Sequence, residues 1–210
     1  MTPADADTPR TAANETSPLR EMARRQFDLL ISRHRAEDVI LVRVLVEHYQ
    51  HVAQAVKDGQ LALARSQLSS LAKGVPLPAH EELTRVIDVG ALPVRALVEW
   101  REGEHRTARL QILDALDACG ELSDRWGHDY LTGKQFHLAA NIARVMITEG
   151  DEDGTIELLA ALRTVALDGD RTRWPFIGTA SLDVPLQGLW RASVEEELQR
   201  VASHMTGLRK

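Results

Sequence analysis

Apolar residues recur along this chain at helical spacing, in blocks separated by polar residues, glycine and proline. After Pro18 the segment LREMARRQFDLLISRH puts Leu19, Met22, Phe27, Leu30 and Ile31 largely on one stripe, which predicts an amphipathic helix. Pro18 suits its first turn, where a missing N–H costs nothing. A second helix is predicted from Ala36 to Asp58. Its stretch from Val39 to Val46 is apolar nearly all round, which predicts a central position. A strand is the rival over that stretch, because valine is β-branched. The helical spacing nevertheless continues through Val52, Ala55 and Val56 with no turn signal.

Residues 60–73 are predicted to form the return helix, closed by Gly74. The VPLP run from Val75 to Pro78 cannot continue it. Ala79 to Val89 reads as a further helix, broken or kinked by VGALP around Gly90 and Pro93. Helices then follow over Val94–Glu102, Glu104–Cys119, Gln135–Glu149 and Asp151–Leu167, with a polar connector over 120–133 that has room for a turn of helix. Residues 168–185 read as a loop. Residues 186–205 read as a C-terminal capping helix whose Glu195, Glu196 and Glu197 supply a polar outer face. Residues 1–17, rich in Thr, Ala, Pro and acidic side chains, read as a disordered tail. Residues 18–210 then make one all-α domain.

One local pattern occurs three times. An acidic residue and Gly are followed by a small residue, then by aliphatics at helical spacing. It reads Asp58-Gly59 with Ala64, Leu68 and Leu71. It returns as Glu102-Gly103 with Ala108, Ile112 and Ala115, and as Glu149-Gly150 with Thr155, Leu159 and Leu162. Gly permits a tight turn between helices. The small residue marks the place where two helices cross closely, and the aliphatics form the buried stripe. The pattern therefore predicts helical hairpins turning at Gly59, Gly103 and Gly150.

Composition fits this picture. Aromatics are only 4% of 210 residues, so the core must rest on Leu, Val, Ile and Ala, which suits helices. The formal net charge of -6 gives no general attraction to nucleic acid. The basic group Arg20, Arg24, Arg25, Arg33, His34 and Arg35 reads as a solvated helix face. Arg far outnumbers Lys among the cations, which points to a GC-rich, bacterial source. The single cysteine, Cys119, excludes an internal disulfide and reads as a small buried side chain. With no signal-peptide pattern and no apolar run long enough to span a bilayer, the expected location is cytoplasmic.

The segments VKDGQLALARSQLSSL and WREGEHRTARLQILDAL resemble the second half of a tetratricopeptide repeat. The glycines stand 44 and 47 residues apart, longer than the roughly 34 of that repeat. Thr155 stands where the first two copies carry Ala. The resemblance implies an array of antiparallel helical hairpins in a right-handed superhelix, with the first helix of each hairpin lining a concave groove. The positions it implies are Tyr49 and Lys57, then Leu97, Trp100 and Arg101, then His137, Asn141 and Arg144. That set holds cations, an amide and aromatics but no carboxylate, and suits an acidic or C-terminal peptide segment. The expected function is a non-enzymatic protein- or peptide-binding module: an adaptor, a regulatory subunit or a chaperone. A second copy of the chain is a further candidate partner, since edges of short arrays pair.

Other chemistry is sparse. Glu47, His48 and His51 fall on one helix face and make a candidate metal-ligand set, with His34 or His80 as the only suggestions for a further ligand. The rival function is therefore a helical metal-dependent enzyme or small-ligand sensor using these residues. The spacing is not HExxH, and no Gly-rich phosphate loop or nucleophile elbow occurs, so no cofactor is expected. Trp174 and Phe176, flanking Pro175 in a predicted loop, are a candidate docking site or else a plug that closes the last hairpin.

Overall fold

The computed structural model describes residues 18–74, 78–128, 131–168, 170–174, 176, 195–196 and 198–203. The predicted tail over 1–17, and most of the predicted loop and capping helix, lie outside the described residues. Helices follow in the order α1 Pro18–Arg33, α2 Ala36–Lys57, α3 Leu61–Gly74, α4 Glu81–Arg101, α5 His105–Trp126, α6 Thr132–Thr148 and α7 Glu152–Asp168. A 3-10 turn, Arg171–Arg173, comes after them. Among the described residues there is no strand, so the Val39–Val46 stretch is helical. No described helix is long and apolar enough to cross a membrane.

The three predicted glycine turns share one local geometry. Gly59, Gly103 and Gly150 have φ of 77°, 87° and 82°. In each, the amide following the glycine bonds back over the helix end: Gln60 N to Ala55 O, Glu104 N to Glu99 O, and Asp151 N to Met146 O. A Cβ at these glycines would meet nothing within 4 Å, so it is the left-handed backbone, not crowding, that demands glycine. The small residue five positions on is fully buried in all three copies: Ala64, Ala108 and Thr155 are each 0% exposed. Thr155 keeps its hydroxyl satisfied by donating to Asp151 O at 2.6 Å.

The stack is organised around α4 and α5, which pack most extensively on each other. Helix α2 lies against α4 and α3, α6 against α5, and α7 against α6. This corrects the expected central position of α2. Val39, Val42, Leu45, Tyr49, Val52 and Val56 form a single buried stripe, while Ile40 is 60% exposed and Val44 41%. Burying each of the inward Val and Leu side chains contributes about 1.5–3 kcal/mol, which decides which face turns in.

At two places a helix runs on where the sequence offered an interruption. Helix α4 runs unbroken through Gly90 and Pro93. A proline inside a helix costs about 3 kcal/mol. Here the apolar stripe is buried on both sides of it, at Val86, Ile87 and Val89 before and at Ala96 and Val98 after. Gly90 serves packing instead: a Cβ there would stand 3.3 Å from Val46 Cγ2, so its absence lets α2 and α4 approach. The connector predicted over 120–133 holds more than one turn of helix, over 120–126. Helix α5 continues to Trp126, because Ala118, Cys119, Gly120 and Leu122 are buried. At the C-terminal end, 195–196 and 198–203 are helical, with Val201 fully buried in the core and Glu195 and Glu196 exposed.

Candidate functional site

The densest chemistry surrounds one buried carboxylate, that of Glu82, which is 1% exposed. Glutamate is almost never so deeply buried unless it is paired. Three separate stretches of chain converge on it. Arg33 and His34 come from the end of α1 and the turn that follows, where His34 N donates to Leu30 O at 2.9 Å. His80 is the N-cap of α4, and its Nδ1 accepts from Glu82 N at 3.3 Å. Helix α5 supplies Trp126 at its end and His128 just beyond.

Gly127 explains how His128 arrives there. Its φ of 69° ends α5 in the left-handed region, and His128 N then bonds to Leu122 O at 3.1 Å. That reversal turns the His128 side chain inward, to 0% exposure.

Around the carboxylate, Oε1 accepts from Arg33 Nη1 at 2.9 Å and from His128 Nε2 at 2.8 Å. Oε2 accepts from His34 Nε2 at 2.7 Å. Arg33 Nη1 also donates to Trp126 O at 2.7 Å, satisfying a carbonyl in the last turn of α5. Burial pushes the Glu82 carboxyl up, but hydrogen bonds from His128, His34 and Arg33 outweigh it and leave its pKa lowered. Glu82 also sits in the first turn of α4, where the helix dipole favours a negative charge. The His34 and His80 rings meet edge to face, with centroids 4.3 Å apart. Beside them Arg125 grips Glu81 through two bonds of 2.8 and 2.9 Å and lies over the Trp126 ring. Arg33, His34, His80, Glu82, Arg125 and Trp126 line an open depression of about 420 Å³.

His34, His80 and Glu82 each bring a ligating atom within 4.8 Å of the others. Among the described residues this is the one set of three ligating side chains that converges. The set suggested by sequence does not. Glu47 accepts from Arg43 Nε at 2.9 Å, and His48 Nδ1 donates to Val44 O at 2.8 Å. The His48 and His51 rings stand 6.3 Å apart on an exposed face. The two histidines offered only as supplementary ligands, His34 and His80, belong to the true convergence. Glu82 carried no signal of its own; His128 is marked in sequence by the HDY run it opens, which suggests an acid–base pair, and by the helix-ending glycine before it.

The predicted groove residues divide between packing and surface. Tyr49 is buried, and its hydroxyl accepts from Arg95 Nη2 at 3.1 Å, so it belongs to the α2–α4 packing. Leu97 packs on the cluster formed by Val52, Ala55, Val56, Ala64 and Val98. Lys57 is exposed. Trp100 is half-buried; its Nε1 donates to Thr148 Oγ1 at 3.3 Å, tying the end of α4 to α6, and Arg101 lies over its ring. His137, Asn141 and Arg144 line one stripe of α6, with Asn141 bonded to both neighbours. Trp174 packs edge to face on buried Phe136 at 5.1 Å, and Phe176 on Trp174 at 5.5 Å, which is the plug arrangement. Cys119 is fully buried, and burial pushes its thiol up to about 12, so it is no nucleophile.

No protein-family model, curated protein or solved structure matches this chain.

Proposed function

We propose that the chain is a non-enzymatic helical-hairpin protein of tetratricopeptide type that binds a protein or peptide partner. The observation that supports this is the threefold turn: the same positive-φ glycine, the same reach of hydrogen bond and the same fully buried small residue. Such repetition builds arrays whose common use is to present a surface. The partner face proposed is the one shared by the end of α4 and the outer stripe of α6. It carries Trp100, Arg101, His137, Asn141 and Arg144, together with Lys57 on α2. Tyr49 and Leu97 drop out of this face because they serve packing.

An acidic peptide segment is the proposed ligand class, since Arg and Lys beside a half-buried indole offer charge-assisted bonds and stacking. An array of acidic C-terminal peptides, read by fluorescence anisotropy, tests it. Binding should weaken with salt. Arg101→Glu with Arg144→Glu should lose about tenfold or more in affinity. Equal binding by the double variant removes this face.

A further inference from the structure

We propose that His34, His80 and Glu82 form a binding site for one divalent transition-metal ion of the zinc type, independent of the peptide face. The donor set is two imidazoles and one carboxylate, which suits zinc, cobalt, nickel or copper better than the hard cations magnesium and calcium. The ligating atoms already lie within 4.8 Å of one another. A tetrahedral ion with bonds of about 2.0–2.1 Å needs its donors about 3.3 Å apart. His34 Nε2 and Glu82 Oε2, now 2.7 Å apart in a hydrogen bond, need only separate slightly. The ion then takes the place of the hydrogen between them, and a neutral His34 carries its proton on Nδ1 instead. His80 is exposed, and its bond to Glu82 N is long at 3.3 Å, so its ring turns at little cost.

The surroundings are those a metal-binding carboxylate requires. Ligating carboxylates are held by outer partners that fix their orientation. Here Oε1 is held by His128 and Arg33, which leaves Oε2 as the oxygen presented to His34. The adjoining open depression admits the ion and a water molecule as fourth ligand. The ion would clamp together the α1–α2 turn and the start of α4, and through His128 the end of α5. His48 and His51 lack such a carboxylate, since Glu47 is half exposed and held only by an exposed arginine of its own helix.

The test uses the full chain, stripped with a chelator and titrated with zinc chloride by calorimetry and with cobalt(II) chloride by visible absorption. One equivalent should bind, with the intense visible bands of tetrahedral cobalt and a higher unfolding temperature. His34→Ala and His80→Ala should each weaken binding about tenfold or more, since each removes a direct ligand. His48→Ala with His51→Ala should bind as the natural chain does. His80→Cys, with its fold checked by circular dichroism, should bind cobalt with a new thiolate charge-transfer band. The proposal is overturned if the natural chain takes up no metal, if His80→Ala binds unchanged, or if binding is lost with His48 and His51 instead.

Discussion

Two groups of histidines sit on this molecule, and they differ in everything except residue type. His48 and His51 are three residues apart on one exposed face of α2, beside Glu47. His34, His80 and His128 are scattered over the chain yet surround a single carboxylate that is 1% exposed. The adjacent pair looks more like a site in sequence, but His48 bonds along its own helix and His51 stands exposed beside it. The scattered set is the one with convergence, because the N-terminus of α4 and the C-terminal ends of α1 and α5 meet there. Spacing along a helix says which residues share a face. It does not say which face receives a partner from elsewhere.

The sharpest way to break this comparison is to remove each carboxylate. Glu82→Ala leaves Arg33 and two histidines without their buried counter-charge and should cost about 3–5 kcal/mol in denaturant unfolding. Glu47→Ala, which removes only an exposed i,i+4 pair, should cost no more than about 0.5 kcal/mol. Equal costs would erase the distinction between the two groups.

A second contrast removes one histidine from each. His128→Ala deletes a fully buried donor and leaves Oε1 partly unsatisfied, for an expected loss of about 1–3 kcal/mol. His51→Ala should stay within about 0.5 kcal/mol of the natural chain.

The gentlest perturbation is pH, applied to metal-free protein. The pKa of Glu82 is lowered on folding, so its contribution is present above the ordinary glutamate value of 4.5 and is lost as pH falls through the lowered value. The difference in unfolding free energy between the natural chain and Glu82→Gln should therefore be largest above that value and shrink on further acidification. No such convergence should appear between the natural chain and Glu47→Gln. Urea titrations at a series of pH values read both.

What proved legible in sequence was local. Each glycine turn is specified within about six consecutive residues: a positive φ, a bond from the residue after Gly, and a small residue five positions on. Helix type followed from spacing in the same way, including over Val39–Val46. Misreadings arose where packing outweighed local preference. Pro93 and Gly90 look like breaks, yet burial on both sides carries α4 through them. Val39 to Val46 looks buried all round, yet only one stripe finds a neighbour.

Sequence alone thus determined an all-helical chain with turns at Gly59, Gly103 and Gly150, because those features depend on backbone dihedrals and on contacts within one turn of helix. Tertiary structure alone decided that Glu82 is buried and which residues neutralise it. Its partners lie 46 to 49 positions away, and Arg33 reaches Trp126 across 93. Nothing in the periodicity of α1, α4 or α5 states where one helix end will stop against another. That is set by how far each buried stripe extends before Arg33, Glu81 and Trp126 meet, and only the packed chain resolves it.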